Sequence, residues 1–110
     1  MTSRISHISI DARNAYAQSV FWAKVLDWME DPSDPNLPEH VECLIMSRDR
    51  AQRLLFINVP DDKLVKNRLH LDLRPTDRIR EEEVARLIEL GAEQVADFRR
   101  ADGSGWITLT

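Results

Sequence analysis

His7 and His70 are the residues whose setting first suggests chemistry. Each opens a short alternating stretch, His7-Ile8-Ser9-Ile10 and His70-Leu71-Asp72-Leu73, and each stretch runs into an amphipathic helical pattern. An imidazole can ligate a divalent ion, carry a proton or hold a structural hydrogen bond. Strand alternation places both rings on the side opposite the Ile and Leu faces, where they would look into a shared pocket if helices cover the apolar side. Metal ligation and a purely hydrogen-bonded role stay open together, because an ion needs about four donors and only two are in view. Asp72 shares the face of His70 and could act as a general base, orient the imidazole, or pair with Arg68 or Arg74.

Other candidates have plainer readings. Cys43 lies in an apolar run, as small buried cysteines do. His40 stands beside a proline-rich loop with no neighbour at metal-ligand spacing and reads as exposed. Glu81-Glu82-Glu83 suits a solvated helix N-terminus, where carboxylates oppose the helix dipole. Trp22, Trp28 and Trp106 could stack on an aromatic guest, although a Trp at a helix end more often anchors helix to sheet.

The elements that must position these residues follow from period and punctuation. Ile5–Ile10 alternates as a strand, and Asn14 to Asp27 has helical spacing through Ala17, Val20, Phe21, Val25 and Trp28. Three prolines between Asp31 and Pro38 make a loop. Val41–Ser47 and Leu54–Val59 are strand-forming runs joined by a polar connection, the pattern of a hairpin. After a break at Pro60–Lys63, Arg68–Arg74 alternates with Leu69, Leu71 and Leu73 on one face. Thr76 or Asp77 can cap a second helix that ends at Gly91, and Gly105–Thr110 is a final strand. The second half thus repeats the plan of the first, which points to two similar modules, about 1–60 and 64–110, in one domain.

Composition narrows the function classes. The chain has 110 residues, with 15 Lys or Arg against 19 Asp or Glu and a net charge of -4, which fits one small acidic domain without a basic stripe for nucleic acid. Three glycines cannot write a G-x-G-x-x-G turn or a phosphate loop. The single cysteine allows no internal disulfide, and no apolar run approaches the roughly 18 residues of a membrane span. With no secretory pattern at Met1-Thr2-Ser3-Arg4, a cytoplasmic protein is expected.

The segments Phe21-Trp22-Ala23-Lys24-Val25-Leu26-Asp27-Trp28, Arg53 to Pro60, and above all Lys66-Asn67-Arg68-Leu69-His70-Leu71-Asp72-Leu73 resemble the glyoxalase/bleomycin-resistance/extradiol-dioxygenase superfamily, the vicinal oxygen chelate proteins. More narrowly they resemble bacterial glyoxalase-like domains. The resemblance implies an α+β fold in which two βαβββ modules form a half-open mixed barrel with flanking helices around a cleft. It implies a ligand-binding set of His7, Ser9, Phe56, Asn58, His70 and Asp72, with His7 and His70 as ligands if a divalent metal is bound. Three departures matter. Asp27 replaces the usual glycine after the first helix, Phe56 and Asn58 stand where metal-dependent members carry a carboxylate, and the sequence reaches Thr110 before the final strand that the resemblance implies for the second module, so that either the chain continues or the module closes differently. The expectation is a cofactor-free domain binding a small apolar or aromatic molecule in its cleft. A metal-dependent lyase, isomerase or dioxygenase is the alternative, and a partner-binding domain using its sheet edges is a third reading. An open sheet edge favours a homodimer; no nucleic-acid or membrane partner is expected.

Overall fold

Asn14 begins the first helix in a way its residue type explains. Its side-chain oxygen accepts the backbone N–H of Ala17 at 3.0 Å, which satisfies one of the amides a helix start leaves unpaired, while its own carbonyl takes the first helical bond from Gln18 N–H at 3.1 Å. The computed structural model describes all residues 1–110. The chain forms two units, 1–66 and 67–110.

Unit 1 contains β1 (Ile8–Ala12), α1 (Ala15–Leu26), β2 (Glu42–Met46) and β3 (Arg53–Asn58). The expected hairpin is present: β2 and β3 pair antiparallel, with Leu44 opposite Leu55. β1 lies parallel to β3, giving the order β1-β3-β2. A one-residue bridge between Met29 and Met46 extends the sheet beyond β2.

The helix packs on a face that matches the one its spacing predicts only in part: Val25 is buried and Trp28 packs against the core, as expected. Ala15 and Ser19 are buried, and Trp22, Ala23 and Leu26 pack with them, whereas Ala17 and Val20 of the expected stripe are exposed. Small residues at 15 and 19 let the helix lie close to the sheet, and the Ser19 hydroxyl is satisfied by donating to Tyr16 O at 2.7 Å. Beneath it lie Cys43, Ile45, Leu54 and Phe56. Phe56 is 0% exposed, the largest of the fully buried side chains. Truncating such a residue typically costs about 3–5 kcal/mol.

Asp27 ends α1 in the left-handed region at φ 53°, so the turn keeps a left-handed residue at the position where the resemblance leads one to expect glycine. Its carboxylate and carbonyl accept from the Arg48 guanidinium at 3.0 and 3.2 Å. Short polar side chains tolerate this conformation better than others do.

Unit 2 contains α2 (Arg80–Glu89), β4 (Gln94–Asp97) and β5 (Ile107–Leu109), the last two antiparallel. β4 was not expected: its Val95 is 58% exposed and it carries little apolar alternation. Neither Thr76 nor Asp77 caps α2, which starts at Arg80 with Ile79 as a cap lacking a side-chain bond. The Arg80 guanidinium instead holds the turn of the β-hairpin, donating to Gly103 O at 3.2 Å and Gly105 O at 3.1 Å. Phe98 and Trp106 pack across the same hairpin with ring centroids 5.1 Å apart.

The expected strand Arg68–Arg74 does not form; the segment is irregular and almost wholly exposed. A strand exists only through hydrogen bonds to a neighbour, and the two strands of this unit pair with each other. The architecture is therefore mixed α+β, with two helices and two small sheets and no closed barrel. Unit 1 supplies β-α-β-β plus the Met29 bridge, and unit 2 α-β-β, in place of two complete βαβββ modules. No helix is long and apolar enough to cross a membrane.

Candidate functional site

The register of unit 1 sorts its residues by face. Ile10 pairs with Phe56 and Cys43 with Phe56, so these side chains share the α1 side. Ser9 pairs with Leu55, and Leu55 with Leu44, so these occupy the opposite face, together with Glu42 and Arg53. On that face is a concavity of about 490 Å3 lined by Ser6, His7, Asp31, Asp34, Asn36, His40, Glu42, Leu44, Arg53 and Leu55.

The proline-rich loop forms one wall, and its hydrogen bonds explain why it lies there. Asn36 donates from its side-chain amide to Leu44 O at 2.8 Å, and its backbone N–H donates to Glu30 Oε2 at 2.8 Å. With the Met29 bridge, this covers the outer edge of β2. His40 is half-buried rather than exposed. Its Nδ1 accepts Leu37 N–H at 3.3 Å, so the neutral ring carries its proton on Nε2. His7 is exposed at the entrance to β1, with Nδ1 3.1 Å from Ser6 Oγ. Asp31 is held below the usual carboxylate range by Ser33, whose hydroxyl and backbone N–H both donate to it. The floor is apolar, from Leu44 and Leu55, and the rim carries carboxylates, imidazoles and one guanidinium.

Two residues expected beside Ser9 lie on the other face. Phe56 is in the core under α1. Asn58 clasps the helix start: its Oδ1 accepts Ala15 N–H at 2.6 Å, and its Nδ2 donates to His40 O at 3.4 Å. The physical reason is the parallel register, which puts even-numbered β3 residues with Ile10 and odd-numbered ones with Ser9. Asn58 thus touches the loop that carries His40 without lining the concavity.

His70 and Asp72 lie in the exposed irregular segment of unit 2, where His70 Nε2 is 3.0 Å from Asn67 O. The ion pairs of this unit join Arg78, Arg80, Arg86 and Arg99 to Asp77, Glu81, Glu83 and Asp97. Arg68, Asp72 and Arg74 take no part in them. The acidic run at the start of α2 is engaged by arginines, with Glu83 lowered chiefly by its hydrogen bond from Arg86.

No group of three or more His, Cys, Asp or Glu side chains is arranged to hold a metal ion, and Phe56 offers only carbon. Cys43 is buried in the core and burial pushes its thiol pKa up, which makes it a poor nucleophile.

Sequence reasoning missed His40, Asn36, Glu42 and Arg53 as lining residues. Once the hairpin register is fixed, the alternation of Glu42 with Leu44 and of Arg53 with Leu55 is the signal that would have found the last two. The loop residues have no such local signal. Searches of curated proteins and of solved structures return no match. Residues 7–110 match the family pattern of the glyoxalase-like domain: the chain belongs to the glyoxalase-like domain family, which is consistent with the glyoxalase and vicinal oxygen chelate superfamily.

Proposed function

We propose that this glyoxalase-like domain binds a small, largely apolar or aromatic molecule without a metal, on the face of the first sheet opposite α1. The observation that supports this reading is the concavity itself: a leucine floor from Leu44 and Leu55 inside a rim of His7, His40, Glu42 and Arg53. Small-molecule sites commonly combine apolar walls with a few placed polar groups. The apolar body of a guest would lie on the leucines, and a polar substituent would meet an imidazole, Glu42 or Arg53. That His70 and Asp72 add to the same ligand, as the barrel arrangement of the superfamily implies, rests on the family pattern alone.

The test is a titration of 15N-labelled protein with indole, benzoate and benzylamine. Amide shifts that cluster at His7, His40, Leu44 and Leu55, and that vanish in Leu55→Glu, support the reading. Shifts scattered over the surface, or none at millimolar probe, reject it. Comparing His7→Ala, His40→Ala and His70→Ala in the same titration tests each imidazole; the superfamily arrangement expects a weaker complex in His70→Ala.

A further inference from the structure

His40 is held in a way that fixes which nitrogen carries its proton. Leu37-Pro38-Glu39-His40 forms a turn closed by His40 N–H donating to Leu37 O at 3.0 Å, with Pro38 where its fixed φ suits such a turn. The turn closes a second time through the ring, because Leu37 N–H donates to His40 Nδ1 at 3.3 Å. A backbone amide can only donate, so Nδ1 is the bare nitrogen and the proton of the neutral ring sits on Nε2. The His40 carbonyl is held as well, accepting from Asn58 Nδ2 at 3.4 Å. The residue is thus anchored at three points before any guest arrives.

Nε2–H itself has no partner within the chain. It is not sealed in, since every fully buried side-chain nitrogen or oxygen has a partner, and His40 lines the same concavity as Leu44 and Leu55. An oriented donor beside an apolar floor selects a guest with an acceptor atom. The charge on that acceptor follows from the rest of the lining. Asp31, Asp34 and Glu42 stand against the single guanidinium of Arg53, so the lining as a whole repels a carboxylate. An ammonium has no lone pair with which to accept from Nε2–H. An uncharged oxygen, as in a ketone, aldehyde or amide, meets both conditions.

We propose that His40 is the specificity-determining residue of the concavity, donating from its neutral Nε2–H to an uncharged carbonyl-type oxygen on an apolar guest. This rests on the small-molecule reading of the same site, and every group it uses belongs to unit 1.

The experiment pairs acetophenone with ethylbenzene, probes of similar shape with and without the oxygen, and follows 15N-amide shifts at Leu44 and Leu55. His40→Leu should weaken acetophenone by roughly three- to tenfold, the worth of one hydrogen bond, and ethylbenzene by less than about twofold. His40→Gln, whose side-chain amide supplies a donor in place of Nε2–H, should recover most of that loss. Benzoate should bind the native chain more weakly than acetophenone. Long-range 15N correlation spectra of the native neutral ring should show a protonated Nε2 and a bare Nδ1, a signature that a merely space-filling role does not require. An Nδ1–H tautomer, equal losses for the two probes in His40→Leu, a His40→Gln no better than His40→Leu, or benzoate tighter than acetophenone overturns the proposal. In each of those cases shifts at Leu44 and Leu55 leave the small-molecule site standing. No shift from any probe at millimolar concentration rejects that site and this inference together.

Discussion

Replacing Asn58 by Ala should cost stability through a single buried amide. In the native chain Asn58 Oδ1 accepts the N–H of Ala15, a residue with 0% exposure, at 2.6 Å. Ala15 is the first residue of α1, so its N–H has no partner inside the helix. Asn14 already serves Ala17 and Gln18 and offers no substitute. Removing the acceptor leaves a buried donor unsatisfied, worth about 1–3 kcal/mol. The weaker bond to His40 O at 3.4 Å adds little energy but releases the loop that carries His40. The expected total is about 2 kcal/mol, or a fall of roughly 8 °C or more in Tm for a domain of this size. Asn58→Asp keeps an acceptor, now charged, at the positive end of the helix dipole, and should lose less than half as much near pH 7. Urea denaturation of the three proteins, with m values compared, is the assay. A loss under about 0.5 kcal/mol in Asn58→Ala, or a larger loss in Asn58→Asp, would refute the assignment of Asn58 as a clasp on the helix start.

Three further expectations rest on single sites. A Cβ at Gly105 would stand 2.1 Å from Phe98 O, and the residue has φ +94°, so Gly105→Ala should destabilise unit 2 by about 2 kcal/mol or more; native-state hydrogen exchange at β4 and β5 would read it, and unchanged protection there would count against the geometry. Asp97 is lowered from 3.8 to about 2, chiefly by the side-chain hydrogen bond from Arg99. A depressed carboxylate stabilises above its unfolded value and loses that stabilisation as pH falls from near 4 through about 2, so the Tm advantage of the native chain over Asp97→Asn should shrink across that window, and parallel Tm curves would contradict it. Cys43, buried and with its thiol pKa raised by burial, should react with a disulfide reagent only after urea unfolding, whereas rapid native-state reaction would place it elsewhere.

Local sequence was enough for the elements whose signals are local. Alternation and proline breaks marked the β2–β3 hairpin, Asn14 marked the start of α1, and the resemblance carried by Lys66–Leu73 led to the family. Asp27 shows how far such reading goes: the departure from glycine was visible, but only the backbone shows Asp27 itself adopting the left-handed turn. α1 is apolar almost all round, from Ala15 through Leu26, so periodicity could not choose its buried face. Packing chose Ala15 and Ser19, because small side chains let the helix approach Phe56. Each strand's alternation says which of its residues share a face, yet nothing in β1 or β3 alone says how their alternations align. The parallel register decides that, and it separates Phe56 and Asn58 from Ser9. His40 reaches the concavity through a loop held by Asn36 and Asn58, contacts between residues distant in sequence. The Arg68–Arg74 alternation is a true strand pattern without a strand, because a strand's hydrogen bonds belong to a pair and a sequence describes only one member of it.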